Sequence, residues 1–105
     1  MPTYRVVVSP AARRDLRGIL RATIRKWDEM QSREYEGKIT RAFERLAQFP
    51  EMGAPLSELS IEMRAVLCEQ HRIYYRIDDN VVHILRVLHV KMDGPGRFRE
   101  SQDRE

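Results

Sequence analysis

The residue type in this chain that is best suited to binding chemistry is arginine. Lysine occurs at three positions, so sixteen of the nineteen basic residues are arginines. A planar guanidinium group pairs bidentately with a carboxylate or a phosphate, and this bias therefore favours a fixed acidic partner over diffuse attraction. Four arginines fall in three neighbouring strand-like runs of the second half: Arg64, Arg72, Arg76 and Arg86. Arg86 stands among apolar residues, where an unpaired charge is costly, so the cluster is predicted to hold phosphates or carboxylates of a partner.

These arginines could instead be neutralised inside the fold. The acidic residues that could pair with one or two of them are Glu69, Asp78 and Asp79. For Arg72 and Arg76, the sequence favours neither internal pairing nor partner binding over the other. For Arg64 and Arg86 we favour a functional role.

A second arginine pattern lies near the N-terminus. Residues 1 to 27 hold seven basic side chains and one acidic one, a net charge of +6, and four arginines follow one another at four-residue steps: Arg13, Arg17, Arg21 and Arg25. On a helix, each such pair of like charges costs about a few tenths of a kcal/mol. We expect acids of the following helix to neutralise part of this charge, namely Glu34, Glu36 and Glu44. The remainder is predicted to meet an acidic partner.

The candidate for proton transfer is His89, because the pKa of histidine, about 6.5, lies near physiological pH. A lone histidine is weak evidence for catalysis. Cys68 is the sole cysteine, so one chain can form neither a disulfide nor a cysteine-based zinc site, and we interpret it as a small core hydrophobe. No metal, nucleotide or other cofactor site is predicted.

Two helices are predicted to follow a first strand. Residues 3 to 9 alternate and are rich in β-branched residues, as is typical of a strand. Ser9 followed by Pro10 is a helix start, and apolar residues at three- and four-residue steps continue to about Lys26. The segment 28 to 32 breaks this pattern, and a second helix repeats it from Tyr35 to Phe49. A helical hairpin is implied.

Three strands are predicted in the second half, after a loop from Pro50 to about Glu62 that contains Gly53 and Pro55. They cover residues 63–69, 71–77 and 81–90, with a tight turn at 78–80. The last is almost continuously apolar and must be buried on both faces. The resulting order, β-α-α-β-β-β, predicts an α+β fold in which the helical hairpin packs on a four-stranded antiparallel sheet.

The length of 105 residues fits one domain with one modest core, and 42% hydrophobic with 33% charged residues argue against a disordered chain. We assign residues 1–93 to this domain and 94–105 to a flexible C-terminal tail. The apolar run near the N-terminus is too short for a signal peptide or a membrane span, so a cytoplasmic location is expected.

Five short motifs occur in a fixed order between about residues 4 and 93. They are Ser9–Leu16, Phe43–Leu46 with Phe49–Gly53, Met63–Val66, His71–Arg76 and Ile84–His89. Each is weak alone, because Ser-Pro before a helix or Tyr-Arg in a strand occurs widely. Together, on the inferred secondary structure, they resemble the ParE toxins of type II toxin-antitoxin systems, a branch of the ParE/RelE superfamily.

The resemblance implies a compact toxin that is held inactive by a ParD-like antitoxin whose C-terminal segment wraps it. It implies DNA gyrase as the cellular target, a non-enzymatic mode of inhibition, and no direct DNA binding without the antitoxin. The residues expected to bind the antitoxin or the target are Arg13, Arg17, Arg21, Arg64, Arg72, Arg76, Arg86 and His89.

The alternative is an endoribonuclease that cleaves mRNA, like the RelE branch of the superfamily. Such enzymes let the 2′-hydroxyl attack the adjacent phosphate, which needs a base, an acid and cations, here Arg64, Arg86 and His89. Several carry a catalytic tyrosine near the C-terminus. This chain has no tyrosine after Tyr75, and Phe98 with glycine and proline stands in that region, so the resemblance favours the gyrase-directed branch.

Overall fold

Two helices and five strands make up the fold in a computed structural model, which describes residues 3–56 and 62–92. The elements are β1 (Arg5–Val8), α1 (Pro10–Lys26), α2 (Glu29–Gln48), a 3-10 turn (Pro50–Met52), β2 (Ala54–Pro55), β3 (Arg64–Cys68), β4 (His71–Asp78) and β5 (Val81–His89). The expected tail, residues 94–105, lies outside the described residues. The domain assignment therefore stays a prediction.

Side-chain caps fix where both helices begin. The Ser9 hydroxyl accepts a hydrogen bond from the amide of Ala12 at 3.0 Å, and Pro10 occupies the first helical position, as predicted. Asp28 caps α2 in the same way, accepting from the amide of Gln31 at 2.8 Å. The predicted start of the second helix at Tyr35 was therefore wrong. The segment from residue 28 to 32, expected to break the pattern, is the cap and first turn of α2.

The α+β class and the order of helices and main strands are confirmed, but the sheet differs from the predicted four antiparallel strands. It is five-stranded and mixed, in the order β1-β5-β4-β3-β2, and β1 runs parallel to β5. The other pairs are antiparallel. Hydrophobic periodicity identifies strands but not the direction of their pairing. The extra strand, β2, has two residues and so leaves no periodic signal.

The larger core lies between the helical hairpin and one face of the sheet. It includes Ile39 and Leu46 of α2 with Ile73, Tyr75 and Ile84 of the sheet. A smaller cluster, which includes Met63, Tyr74 and Leu88, lies on the opposite face. The last strand is thus buried on both faces, as predicted. The tight turn is also confirmed, with Asp79 in the left-handed region at φ 54°.

The turn after α2 is joined to the sheet by a buried phenol. The Tyr75 hydroxyl accepts from the amide of Gly53 at 2.8 Å and donates to the Pro50 carbonyl at 2.7 Å. A Cβ added at Gly53 would lie 2.6 Å from the Tyr75 hydroxyl oxygen and 2.9 Å from the Ala65 carbonyl oxygen. Glycine is required here because the backbone passes so close to the sheet.

We predict that Gly53→Ala lowers the free energy of unfolding by about 1–3 kcal/mol, because the new methyl group must displace the Tyr75 hydroxyl. The matched control is Gly18→Ala, where an added Cβ meets nothing within 4 Å in the middle of α1. It should stabilise the protein by about 0.5–1 kcal/mol through helix propensity. Urea denaturation measures both, and equal stabilities for the two variants would contradict the close approach at Gly53.

Candidate functional site

An irregularity in the last strand sets the geometry of the site. Tyr74 pairs with Arg86, but the next residue, Tyr75, pairs with Ile84, so Leu85 is an extra residue in β5. Beside the bulge, the last strand is bonded to Ser9, the residue that caps α1. The Ser9 amide donates to the Ile84 carbonyl at 3.0 Å, and the Ser9 hydroxyl donates to the Leu85 carbonyl at 2.9 Å. This bulge therefore joins the last strand to the first helix.

The bulge also turns Arg86 toward α1, where it meets Asp15. Two of its nitrogens, Nε and Nη2, donate to the two oxygens of the Asp15 carboxylate at 2.8 and 2.9 Å. The amide of Val87 donates to the same carboxylate at 2.9 Å. The Asp15 side chain is 13% exposed and that of Arg86 is 30% exposed. The hydrogen bonds to Asp15 raise the pKa of Arg86, against the opposing effect of burial.

The sequence argument that Arg86 needs a counter-charge was therefore correct, but the acids considered for it were not. Asp15, the single acidic residue of α1, was not among them. It could have been found as an acid on a helix that is otherwise apolar or basic. This internal pair occupies one edge of the Arg86 guanidinium, through Nε and Nη2.

We predict that Asp15→Asn lowers the free energy of unfolding by about 1–3 kcal/mol, since it leaves a partly buried guanidinium without its counter-charge. The matched control is Glu29→Gln, which removes the carboxylate of an exposed pair, Arg33 to Glu29 at 2.8 Å. That change should cost less than about 0.5 kcal/mol. Chemical denaturation measures both variants. If Asp15→Asn leaves the free energy of unfolding unchanged, the pair between Asp15 and Arg86 does not contribute to stability.

The other three arginines of the predicted cluster do not join Arg86. Arg64 donates to the carbonyls of Gly53 and Glu51 at 2.7 and 3.2 Å, so it braces the turn after α2. Arg76 pairs with Asp78 at 3.6 Å in an exposed position, which is the internal pairing considered from the sequence. Arg72 is exposed and forms no ion pair within the described part of the chain. Its strand neighbour Leu88 belongs to the cluster on the face away from the helices.

A groove of about 490 Å³ opens between α1 and the ends of β4 and β5. Small residues of α1, Gly18 and Ala22, form one wall, and Val87 and Leu88 lie opposite. At one end the groove reaches Trp27, whose side chain is 44% exposed. Its polar lining is mostly basic or aromatic: Arg14, Lys26, Tyr35, His71, Arg86 and His89. The combination of apolar walls and cationic groups suits an amphipathic, acidic segment.

Three aromatic side chains meet at the end of this groove. The Tyr35 hydroxyl lies 2.5 Å from Nδ1 of His71 and accepts from the amide of Gln70 at 3.2 Å. The rings of His71 and His89 meet edge to face, with centroids 5.3 Å apart. The amide of Lys91 donates to Nδ1 of His89 at 3.1 Å. We call this the Tyr35–His71–His89 cluster.

Burial favours the uncharged forms of two members of the cluster, His71 and Tyr35. Burial lowers the pKa of His71, and the neighbouring His89 lowers it further, against the effect of Asp15. Burial also raises the pKa of Tyr35. Sequence reasoning selected His89 but missed His71 and Tyr35. Because Asp78 pairs with Val81, a regular register would place His71 opposite Leu88, and the bulge at Leu85, which has no sequence signal, shifts it by one residue to His89.

The three residues proposed for RNA cleavage are not brought together. His89 pairs with His71 across the sheet, whereas Arg64 pairs with Tyr75, four positions further along β4. At about 3.3 Å per residue this separates them by about 13 Å along the strand. Arg86 is held by Asp15. The set Arg64, Arg86 and His89 therefore does not form one catalytic constellation in this structure.

We predict that the parent protein loses thermal stability below about pH 6.5, the unfolded-state pKa of histidine, because His71 has a lower pKa in the folded state. The unfolded chain then binds more protons, so unfolding becomes easier as the pH falls through this window. In His71→Gln, the decrease in Tm between pH 7.5 and pH 5.5 should be smaller.

The control for this pH experiment is His83→Gln, which removes a histidine elsewhere on β5. It should keep the pH dependence of the parent. If His71→Gln also keeps it, protonation of His71 is not linked to folding.

The arginines at four-residue steps on α1 are exposed, as a helical stripe should be. The expected ion pairs with Glu34, Glu36 and Glu44 do not form among residues 3–56 and 62–92, so that prediction was wrong. The reason is the side of α1 that packs on α2. Leu16, Ile19 and Leu20 meet α2 residues there, and the arginines lie on another face.

Neither a metal site nor a membrane helix is found in the described ranges. No group of three or more His, Cys, Asp or Glu residues within them could hold a metal ion. No helix within them has the length and apolar character needed to cross a bilayer.

The fold itself is known from toxin-antitoxin systems. The chain is similar to a structure titled as the chromosomal ParDE toxin-antitoxin system from P. aeruginosa, with a TM-score of 0.74, 19% identity, and coverage of 87% of this chain and 100% of that one. It is also similar to a chain of the toxin-antitoxin complex RelBE2 from Mycobacterium tuberculosis, with a TM-score of 0.60, 30% identity, and coverage of 83% and 98%. Two helices on this mixed sheet thus define an α+β domain of the RelE/ParE type.

The sequence comparison specifies the branch. Residues 6–94 match the family described as the ParE toxin of the type II toxin-antitoxin system parDE. The chain is 30% identical over 90 residues to Toxin ParE1 of Mycobacterium tuberculosis, which covers 85% of this chain and 92% of that protein. This chain therefore belongs to the ParE toxin family of type II toxin-antitoxin systems, which confirms the resemblance seen in the motifs.

Proposed function

We propose that this protein arrests growth by binding and poisoning DNA gyrase, without chemistry of its own, and that a ParD-like antitoxin neutralises it. The observation that carries the proposal is the Asp15–Arg86 pair in a member of the ParE family. A cation that must stabilise a phosphorane-like transition state has to be free to meet it. Here the guanidinium of Arg86 already has both oxygens of a carboxylate, and Arg64 holds two backbone carbonyls.

The groove between α1 and β5 is the proposed antitoxin site. Gly18 and Ala22 present little side chain, so the backbone of a partner helix can approach α1 closely. Trp27 and Met92, which are 44% and 43% exposed, offer apolar surface beside it. Arg14 and Lys26 would meet acidic side chains on the polar face of such a helix. These features support one amphipathic, acidic antitoxin segment lying along α1.

One observation favours a second candidate, an endoribonuclease. The Tyr35–His71–His89 cluster places two imidazoles edge to face in a groove that also holds Arg14 and Lys26. A neutral histidine can accept a proton, and a second can donate one, which is the minimum for attack by a 2′-hydroxyl. The same functional test separates this activity from gyrase inhibition.

We predict that the purified protein inhibits DNA supercoiling by gyrase and leaves RNA intact. Supercoiling of relaxed plasmid and the integrity of a labelled mRNA are measured in parallel over the same protein concentrations. Inhibited supercoiling with intact RNA supports the proposal. Cleaved RNA with normal supercoiling would overturn it, and loss of that cleavage in His71→Gln would assign the activity to the cluster.

The antitoxin arm of the same experiment uses Ala22→Trp, which fills the groove from an exposed position on α1. Addition of the purified antitoxin encoded beside the toxin should restore supercoiling for the parent, and restoration should need at least about tenfold more antitoxin for Ala22→Trp. Gln48→Trp, at the exposed end of α2, is the control and should behave as the parent. Equal rescue of both variants would place the antitoxin elsewhere.

A further inference from the structure

Helix α1 carries a series of exposed arginines that the proposed function does not use. We define the arginine ladder as Arg13, Arg17, Arg21 and Arg25, which stand at four-residue steps and are all exposed. Twelve residues of helix separate the first from the last, a distance of about 18 Å at 1.5 Å per residue. Each four-residue step also turns about 40° around the helix axis, so the ladder winds over about 120° of the surface of α1.

No acid within the described residues neutralises the ladder. Asp15, the single acidic residue of α1, is bound to Arg86. The exposed acids of α2 do not reach across, and the four ion pairs of the described chain involve none of the ladder arginines. Among the described residues, the ladder side chains make one hydrogen bond, from Nε of Arg13 to the Val8 carbonyl at 3.3 Å, which leaves the charge of Arg13 in place. Like charges at this spacing repel each other, so the ladder favours an external polyanion.

The composition of this face favours a nucleic-acid backbone over a protein. The centre of a protein interface is usually apolar and depleted of charge. Here the face is a row of arginines with one strongly exposed apolar side chain, Ile24, beside it. Duplex DNA carries one negative charge per about 1.7 Å of its axis, so a length of about 18 Å carries roughly ten phosphates on its two strands, and those on the near side can meet the ladder.

We propose that the arginine ladder binds the sugar-phosphate backbone of duplex DNA, without reading its sequence. Guanidinium groups pair with phosphate oxygens through charge-assisted hydrogen bonds. At 100° per residue, Arg13 and Arg17 lie at least about 100° around α1 from the groove residue Gly18, whereas Arg25 lies within about 20° of it, so DNA on the ladder would border the groove at its Arg25 end. This inference goes beyond the proposed function, because it assigns a second surface and a second class of partner. It also departs from the sequence-based expectation that DNA binding requires the antitoxin.

The test measures binding of the full chain to a fluorescein-labelled 30-base-pair duplex by anisotropy, between 50 and 200 mM KCl. The ladder variant is R13Q/R17Q/R21Q. The matched control, R33Q/R41Q/R45Q, removes the same charge from exposed positions of α2. Circular dichroism confirms that both variants are folded.

We expect the logarithm of the binding constant to fall with the logarithm of the salt concentration, and the slope to decrease by about three in the ladder variant. At 50 mM KCl the ladder variant should bind at least tenfold more weakly than the parent. The control should keep the slope of the parent within about one. If both variants lose the same amount of DNA affinity, the effect is one of net charge alone and the proposal is overturned. It is also overturned if the parent protein does not bind the duplex.

A competition arm decides between DNA and an acidic protein. Poly-L-glutamate is added to the parent bound to the duplex, at equal concentration of charge. Persistence of the DNA complex supports the proposal, and complete displacement would make an acidic polypeptide the occupant. Because gyrase is absent from this assay, its result is independent of the supercoiling test. DNA binding with normal supercoiling would overturn the proposed function and leave this inference intact.

Discussion

The structure depends on one carboxylate that accepts three hydrogen bonds at the junction of the first helix and the last strand. Asp15 binds two nitrogens of Arg86 and the amide of Val87, and Ser9 satisfies the carbonyls of Ile84 and Leu85 beside them. A bulge leaves backbone groups without strand partners, and buried polar groups without partners are costly. The start of α1 supplies those partners. These hydrogen bonds between α1 and β5 fix the distance between the two elements, and hence the width of the groove between them.

The same hydrogen bonds show how the arginines of this chain divide between structural and surface positions. Arg86 and Arg64 serve the fold, one on a carboxylate and one on the carbonyls of a turn. The arginines of α1, including Arg14 at the groove, stay at the surface, where they can meet a partner. An arginine in an apolar strand thus indicates a structural ion pair in this protein, whereas the arginines on an exposed helix face are the ones that remain for binding.

Local sequence signals predicted the helices and the longer strands, whereas the way in which the strands pair could not be derived from them. Ser9 with Pro10 marked the start of α1, and the apolar run at the end of the domain marked β5, because both depend on residues adjacent in the chain. The parallel pairing of β1, the two-residue β2 and the bulge at Leu85 have no periodic signature. The candidate site was only partly predicted for the same reason. His89 was identifiable alone, but its neighbours His71 and Tyr35 follow from strand register and helix packing.

The parallel pairing of β1 with β5 affects when the protein can become active during its synthesis. Ser9 and Leu85, whose side chain and carbonyl are bonded, stand 76 positions apart. A nascent chain therefore keeps its first strand and first helix without their final partner until almost all of the domain has left the ribosome. The groove, which needs a wall from each end of the chain, is completed last. Prematurely terminated translation products lack this wall, so they have neither the complete fold nor the complete groove.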